Sequence, residues 1–160
     1  MSTLAPTTRA TRTLATWSAV FAGLGLASGL YYREFSKHYN WDARSQLNVA
    51  HTHWLMLGAV LGLVFTLVED RFRISERGKQ FTAFLITWIA GVVITSGMLV
   101  FKGSAQIMEK SWADSPALAG ISGLGHMTLT AMFILFFLGL LAQIKKAQAT
   151  PAAQEPTVSV

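Results

Sequence analysis

Residues 45–68 read SQLNVAHTHWLMLGAVLGLVFTLV, twenty-four residues without one Asp, Glu, Lys or Arg, and with two histidines among them. The hydrocarbon core of a bilayer takes roughly 20 apolar residues per helical crossing. This stretch therefore reads as a transmembrane helix. The same pattern recurs on either side of it, at 13–32, 80–101 and 115–144. All 21 formally charged side chains of the 160-residue chain fall in the remaining residues. Four such runs exclude an ordinary soluble domain and leave too little chain for a second one. The expected fold is all-α, an integral membrane four-helix up-down bundle with spans near 13–33, 46–69, 80–102 and 117–144. The transmembrane domain is expected over 13–145, with tails 1–12 and 146–160, rich in Ala, Thr, Pro and Gln, reading as disordered. Residues 13–32 read as a retained first span, because Tyr31-Tyr32-Arg33-Glu34 is not a small-residue cleavage site.

The net charge of +5 does not point to nucleic acid, because the Lys and Arg flank spans as membrane topology requires. With both tails and the middle connection inside, eight Lys and Arg lie inside and five outside. The positive-inside rule then gives an N-in, C-in orientation, and a bacterial inner membrane is the expected location. The charge-rich stretch Glu69 to Lys79 reads as a tight solvated turn. The stretch Gln106 to Ala113 reads as a weakly amphipathic segment along the outer interface, anchored by Trp112.

Lipid gives helices little hydrophobic reason to associate, so small residues mark close packing. The first two spans carry GxxxG, at Gly25/Gly29 and Gly58/Gly62. On a helical wheel Ser18, Gly25 and Gly29 share one face, and His51, Leu55, Gly58 and Gly62 share another. These faces are expected to converge inside the bundle; a homodimer through either GxxxG face is an alternative use of the same pattern.

Zero cysteines exclude disulfides and thiolate chemistry. Attention therefore falls on histidine. Three of the four, His51, His53 and His126, lie inside uncharged runs, where an ionisable group is costly and turns to an interior or cavity. In an up-down bundle all three fall in one layer of the outer half, together with Met98. His51 shares the glycine face and is the expected inward residue. His53 lies about 200° away on a regular helix and reaches a ligand only if the helix is rotated or irregular. Facing histidines on two helices suit a haem, here b-type because no Cys-x-x-Cys-His is present. The expected axial ligands are His51, with His53 the alternative, and His126. Arg33 and Lys102 are expected near the propionates, and Tyr32 beside the ring.

Copper or zinc held by His51, His53, His126 and Met98 or Met127 is the competing cofactor. A cofactor-free packing subunit is the third reading. No carboxylate lies in the outer halves of the spans, which argues against hard cations and a di-iron site. Gly120 to Gly125 contains GxxGxG, but it opens a span and follows no strand, so it is not a nucleotide fingerprint. No nucleophile–base constellation is present, and the reading leans away from an enzyme. Lipid is an expected partner, with a redox protein or quinone beside it.

Three segments carry a resemblance: Tyr31-Tyr32-Arg33-Glu34-Phe35 with Lys37, His51-Thr52-His53 followed by Leu55, Leu57 and Gly58, and Ile121-Ser122-Gly123-Leu124-Gly125-His126. Together they resemble a family of small bacterial four-span membrane proteins of unknown function. That resemblance implies the same fold and points to the same three histidines. Separately, the His-x-His-x-x-x-Leu-Gly stretch is similar to histidine-bearing helices of the catalytic subunit of haem-copper oxidases and nitric oxide reductases.

Overall fold

The computed structural model describes residues 8–149, which are all-helical apart from short connections. Helix α1 spans Arg9–His38, α2 Leu47–Phe72, α3 Lys79–Ile107 and α4 Pro116–Ala149. All four are long and apolar enough to cross a membrane. The physical reason is that no water is available in hydrocarbon, so each crossing segment must satisfy its backbone groups internally. The upper end of the bundle carries the α1–α2 and α3–α4 connections; the lower end carries the α2–α3 turn and the outer ends of α1 and α4.

The helices outrun the uncharged stretches that define them. Thr8 caps α1, its Oγ1 accepting from the Thr11 N–H at 3.1 Å, so 9–12 are helical rather than disordered. At the other end, Lys146 pairs with Glu76 at 2.7 Å and α4 continues to Ala149. The rest of both tails, 1–7 and 150–160, lies outside the described residues. The third connection also differs from its reading. Helix α3 continues through Ile107, and 108–115 form turns in which Trp112 stacks on Phe101 with centroids 5.6 Å apart.

The lower turn is not wholly solvated. Glu69 is fully buried, and its carboxylate accepts from the Ser75 backbone N–H at 2.9 Å and from the Ser75 hydroxyl. That arrangement holds a short 3-10 helix, Ile74–Arg77, beneath α2. A charge that would be costly to bury alone is stabilised by those donors.

Packing explains the two GxxxG motifs. They are used reciprocally inside one chain. Gly25 of α1 abuts Leu55, with Leu55 Cγ 2.7 Å from where a methyl would stand, and Gly29 abuts His51. Gly58 of α2 takes Phe21 in the same way, and Gly62 takes Ser18 and Trp88. Small residues thus let α1 and α2 approach closely where apolar burial provides little drive. Helix α4 docks on α3 by the same device, Gly91 facing Leu129 and Gly125 facing Thr95. Phe21, Phe65, Phe84, Trp88 and Phe136 fill the lower half of the interior. Phe65 of α2 meets Phe136 of α4 at 4.6 Å between centroids.

One irregularity interrupts α2. Trp54–Val60 winds as a π-helix immediately after the His51-Thr52-His53 triplet. The indole N–H of Trp88 donates to the Leu57 carbonyl within it at 2.9 Å. π-Segments of this kind often accompany functional sites.

Candidate functional site

The upper half of α2 has three distinct sides. Leu47, Ala50 and Trp54 form its buried edge, with Leu47 seated on Gly103 of α3. His51 turns toward α1, where its Cβ lies 3.6 Å from the methyl position of Gly29. His53, about 200° round the helix from His51, occupies the flank turned away from α1. Helix α1 packs mainly on α2, and α4 almost wholly on α3. On α3 the residues that meet α4, Gly91 and Thr95, lie roughly opposite on the helix to Gly97 and Ser104, which line the space shared with α1, so α1 and α4 lie on opposite sides of the α2–α3 pair. His51 faces the α1 side and His53 the α4 side.

On α4, Gly125 abuts Thr95 of α3, and His126 follows it about 100° round the helix, on an exposed flank. Depth can be compared through α3. Leu47 is level with Gly103, so His53 lies about 9 Å below that contact at 1.5 Å per residue. Thr95, and with it Gly125, lies about 12 Å below it by the same rise, and His126, the next residue down α4, about 13–14 Å below it. The two histidine positions thus lie within about 4–5 Å of one depth.

Their hydrogen bonding matches. His53 Nδ1 lies 2.9 Å from the Val49 carbonyl, and His126 Nδ1 lies 3.0 Å from the Ser122 carbonyl, each four residues back. A carbonyl only accepts, so Nδ1 carries the proton in both rings and donates. In the neutral ring, Nε2 then presents its lone pair. This is the arrangement that orients a metal-ligating imidazole and fixes its tautomer. His51 lacks it: its Nδ1 is buried without a partner.

The remaining expected residues divide between the two sides. Lys102, near the upper end of α3, is only 12% exposed and pairs with Asp114 at 3.3 Å. Met98 is half-buried on α3. Tyr32 and Arg33 belong to α1, away from α4. Tyr32 packs in the upper cluster around Leu47, Ala50 and Ile107. Arg33 is exposed and 3.6 Å from Glu34. Among the described residues, no three His, Asp or Glu converge to hold a metal ion. A three-histidine copper or zinc centre therefore has no ready-made ligand set within these residues.

Two features had no signal in the wheel analysis. One is the ring-nitrogen bonding that separates His53 from His51. The other is an apolar groove of about 560 Å³ between the upper halves of α1 and α3, floored by Trp54 and edged by Tyr31 and Ser104.

Residues 11–143 match the model of a family described as a protein of unknown function (DUF2871). No curated protein and no solved structure matches the chain.

Proposed function

The chain belongs to the DUF2871 family of unknown function, and on that premise we propose that it is a membrane-embedded b-type haem protein for electron transfer. His53 and His126 would hold the haem. One observation carries the reading: both rings, on different helices and at similar depth, donate Nδ1–H to the carbonyl four residues back and leave Nε2 free. The right-handed winding of the helices turns both flanks toward the space between α2 and α4 over α3. Phe65 and Phe136 close that space below. Lys102, held at the upper end of α3 and largely buried, supplies a cation for a propionate once it exchanges Asp114. The likeness of the His51–Gly58 stretch to oxidase helices points the same way.

A haem held between two imidazoles would supply one-electron transfer rather than gas binding. A helical bundle is a recurrent way of holding such a cofactor between facing side chains. In the N-in, C-in orientation favoured by the Lys and Arg distribution, the haem lies toward the outer side of a bacterial inner membrane.

The test is the absorption spectrum of protein purified after expression with ample haem. The expected result is a Soret band and a b-type pyridine haemochrome. His53→Ala and His126→Ala each lose them, while His51→Ala keeps them. Absence of haem from the wild-type protein overturns the proposal, and so does a band that survives His53→Ala but not His51→Ala.

A further inference from the structure

The groove between α1 and α3 lies on the side of the bundle away from α4 and so does not overlap the histidine pair. Its walls are apolar and aromatic, with Leu24, Trp54 and Phe101 among them. Gly97 opens one wall, since a methyl there would meet no atom within 4 Å. Its volume, about 560 Å³, is in the range of sites for small organic ligands.

The polar rim has a defined direction. Ser104 has one hydroxyl proton, and it donates to the Val100 carbonyl at 2.7 Å. The 3.1 Å contact between Tyr31 and Ser104 must then run from the phenol to the serine oxygen. The Tyr31 proton is thereby committed, and its oxygen is left as an acceptor at the groove edge. A ligand matching this rim brings a hydroxyl, not a bare carbonyl. An acyl chain would cover the apolar walls and leave the phenol lone pair facing hydrocarbon.

We propose that this groove binds the dihydroxy aromatic head of a membrane quinol, which donates a hydrogen bond to the Tyr31 oxygen and lies against Trp54 and Phe101. The choice of a redox-active head among hydroxyl-bearing apolar molecules rests on the haem reading above. Trp54 links the two sites, flooring the groove while following His53 directly in the chain.

The probe is decylubiquinol, titrated into the purified full-length protein and read by tryptophan fluorescence. Its di-O-methyl ether, which has no donor, is the matched control. The quinol is expected to bind roughly three- to tenfold more tightly than the ether, the span of one hydrogen bond, and Tyr31→Phe to erase that preference. Gly97→Leu fills open space, keeps the helix and is expected to weaken both ligands at least tenfold. Equal binding of quinol and ether overturns the proposal, as does unchanged binding in Gly97→Leu. The same titration of His126→Ala separates the two readings. Retained quinol preference in a protein without haem supports the groove alone; a Soret band with no groove-dependent binding overturns the groove alone.

Discussion

Replacing Gly103 by alanine tests the contact that fixes the upper half of α2, and with it His53, on α3. The added methyl would point at Leu47 of α2, meeting its backbone nitrogen and lying 2.6 Å from its Cα. These are main-chain atoms, so no rotamer change relieves the overlap; one helix must move. Overpacking of this kind costs about 1–3 kcal/mol. Alanine returns up to about 1 kcal/mol through its better helix propensity. Six residues earlier, Gly97 provides the control, because its methyl would meet nothing within 4 Å. Gly97→Ala should leave stability unchanged or raise it by up to about 1 kcal/mol. The difference between the two variants isolates the helix contact at about 1–3 kcal/mol, roughly a 5- to 160-fold change in the unfolding equilibrium. Reversible unfolding in mixed micelles of dodecyl sulfate and dodecyl maltoside, followed by far-ultraviolet circular dichroism, measures it. If both variants unfold at the same detergent fraction, the α2–α3 contact does not hold the site as described. Haem retention should fall in Gly103→Ala and stay intact in Gly97→Ala.

Other outcomes follow from single contacts. Glu69→Ala leaves the part-buried Ser75 N–H without its acceptor and should cost about 1–3 kcal/mol in the same assay, with Glu69→Gln milder. Trp88→Phe removes the donor to the Leu57 carbonyl, and faster amide exchange confined to Trp54–Val60 would register its loss. The Lys146 ammonium, by hydrogen bond and then by charge, holds the Glu76 carboxyl below its ordinary 4.5. A depressed carboxyl stabilises the fold above the unfolded pKa and loses that contribution as pH falls through the folded value. An NMR titration of Glu76 should therefore move up toward 4.5 in Lys146→Ala, and an unmoved titration would remove the pair's role.

Much of the fold is legible in the sequence because of what lipid demands. Runs without charge must be helices, their lengths count crossings, and small residues at i, i+4 mark where backbones meet. The wheel correctly joined His51, Leu55, Gly58 and Gly62 on one face, and that face meets α1. Element ends were less legible. Capping by Thr8, the Lys146–Glu76 pair and the buried Glu69 carboxylate extend helices or tighten turns through contacts between residues that carry charge or hydroxyls. Hydropathy treats those residues only as polar.

The site divides along the same line. That His51, His53 and His126 stand inside the apolar runs, and that they lie at similar depth, follows from their positions in the runs and the rise of a helix. Which of them lie on one side of the bundle does not. Sharing the glycine face made His51 look inward, but inward on α2 means toward α1, and α4 lies across the α2–α3 pair from α1. Only the order in which helices pack around one another decides that. The sequence by itself determined four membrane-length helices and three intramembrane histidines, because burial in hydrocarbon permits little else. The tertiary structure alone decided that His53 and His126 share a side, that their Nε2 atoms are free, and that Tyr31 accepts at the rim of a groove. Those facts depend on neighbours and bond directions that no linear spacing encodes.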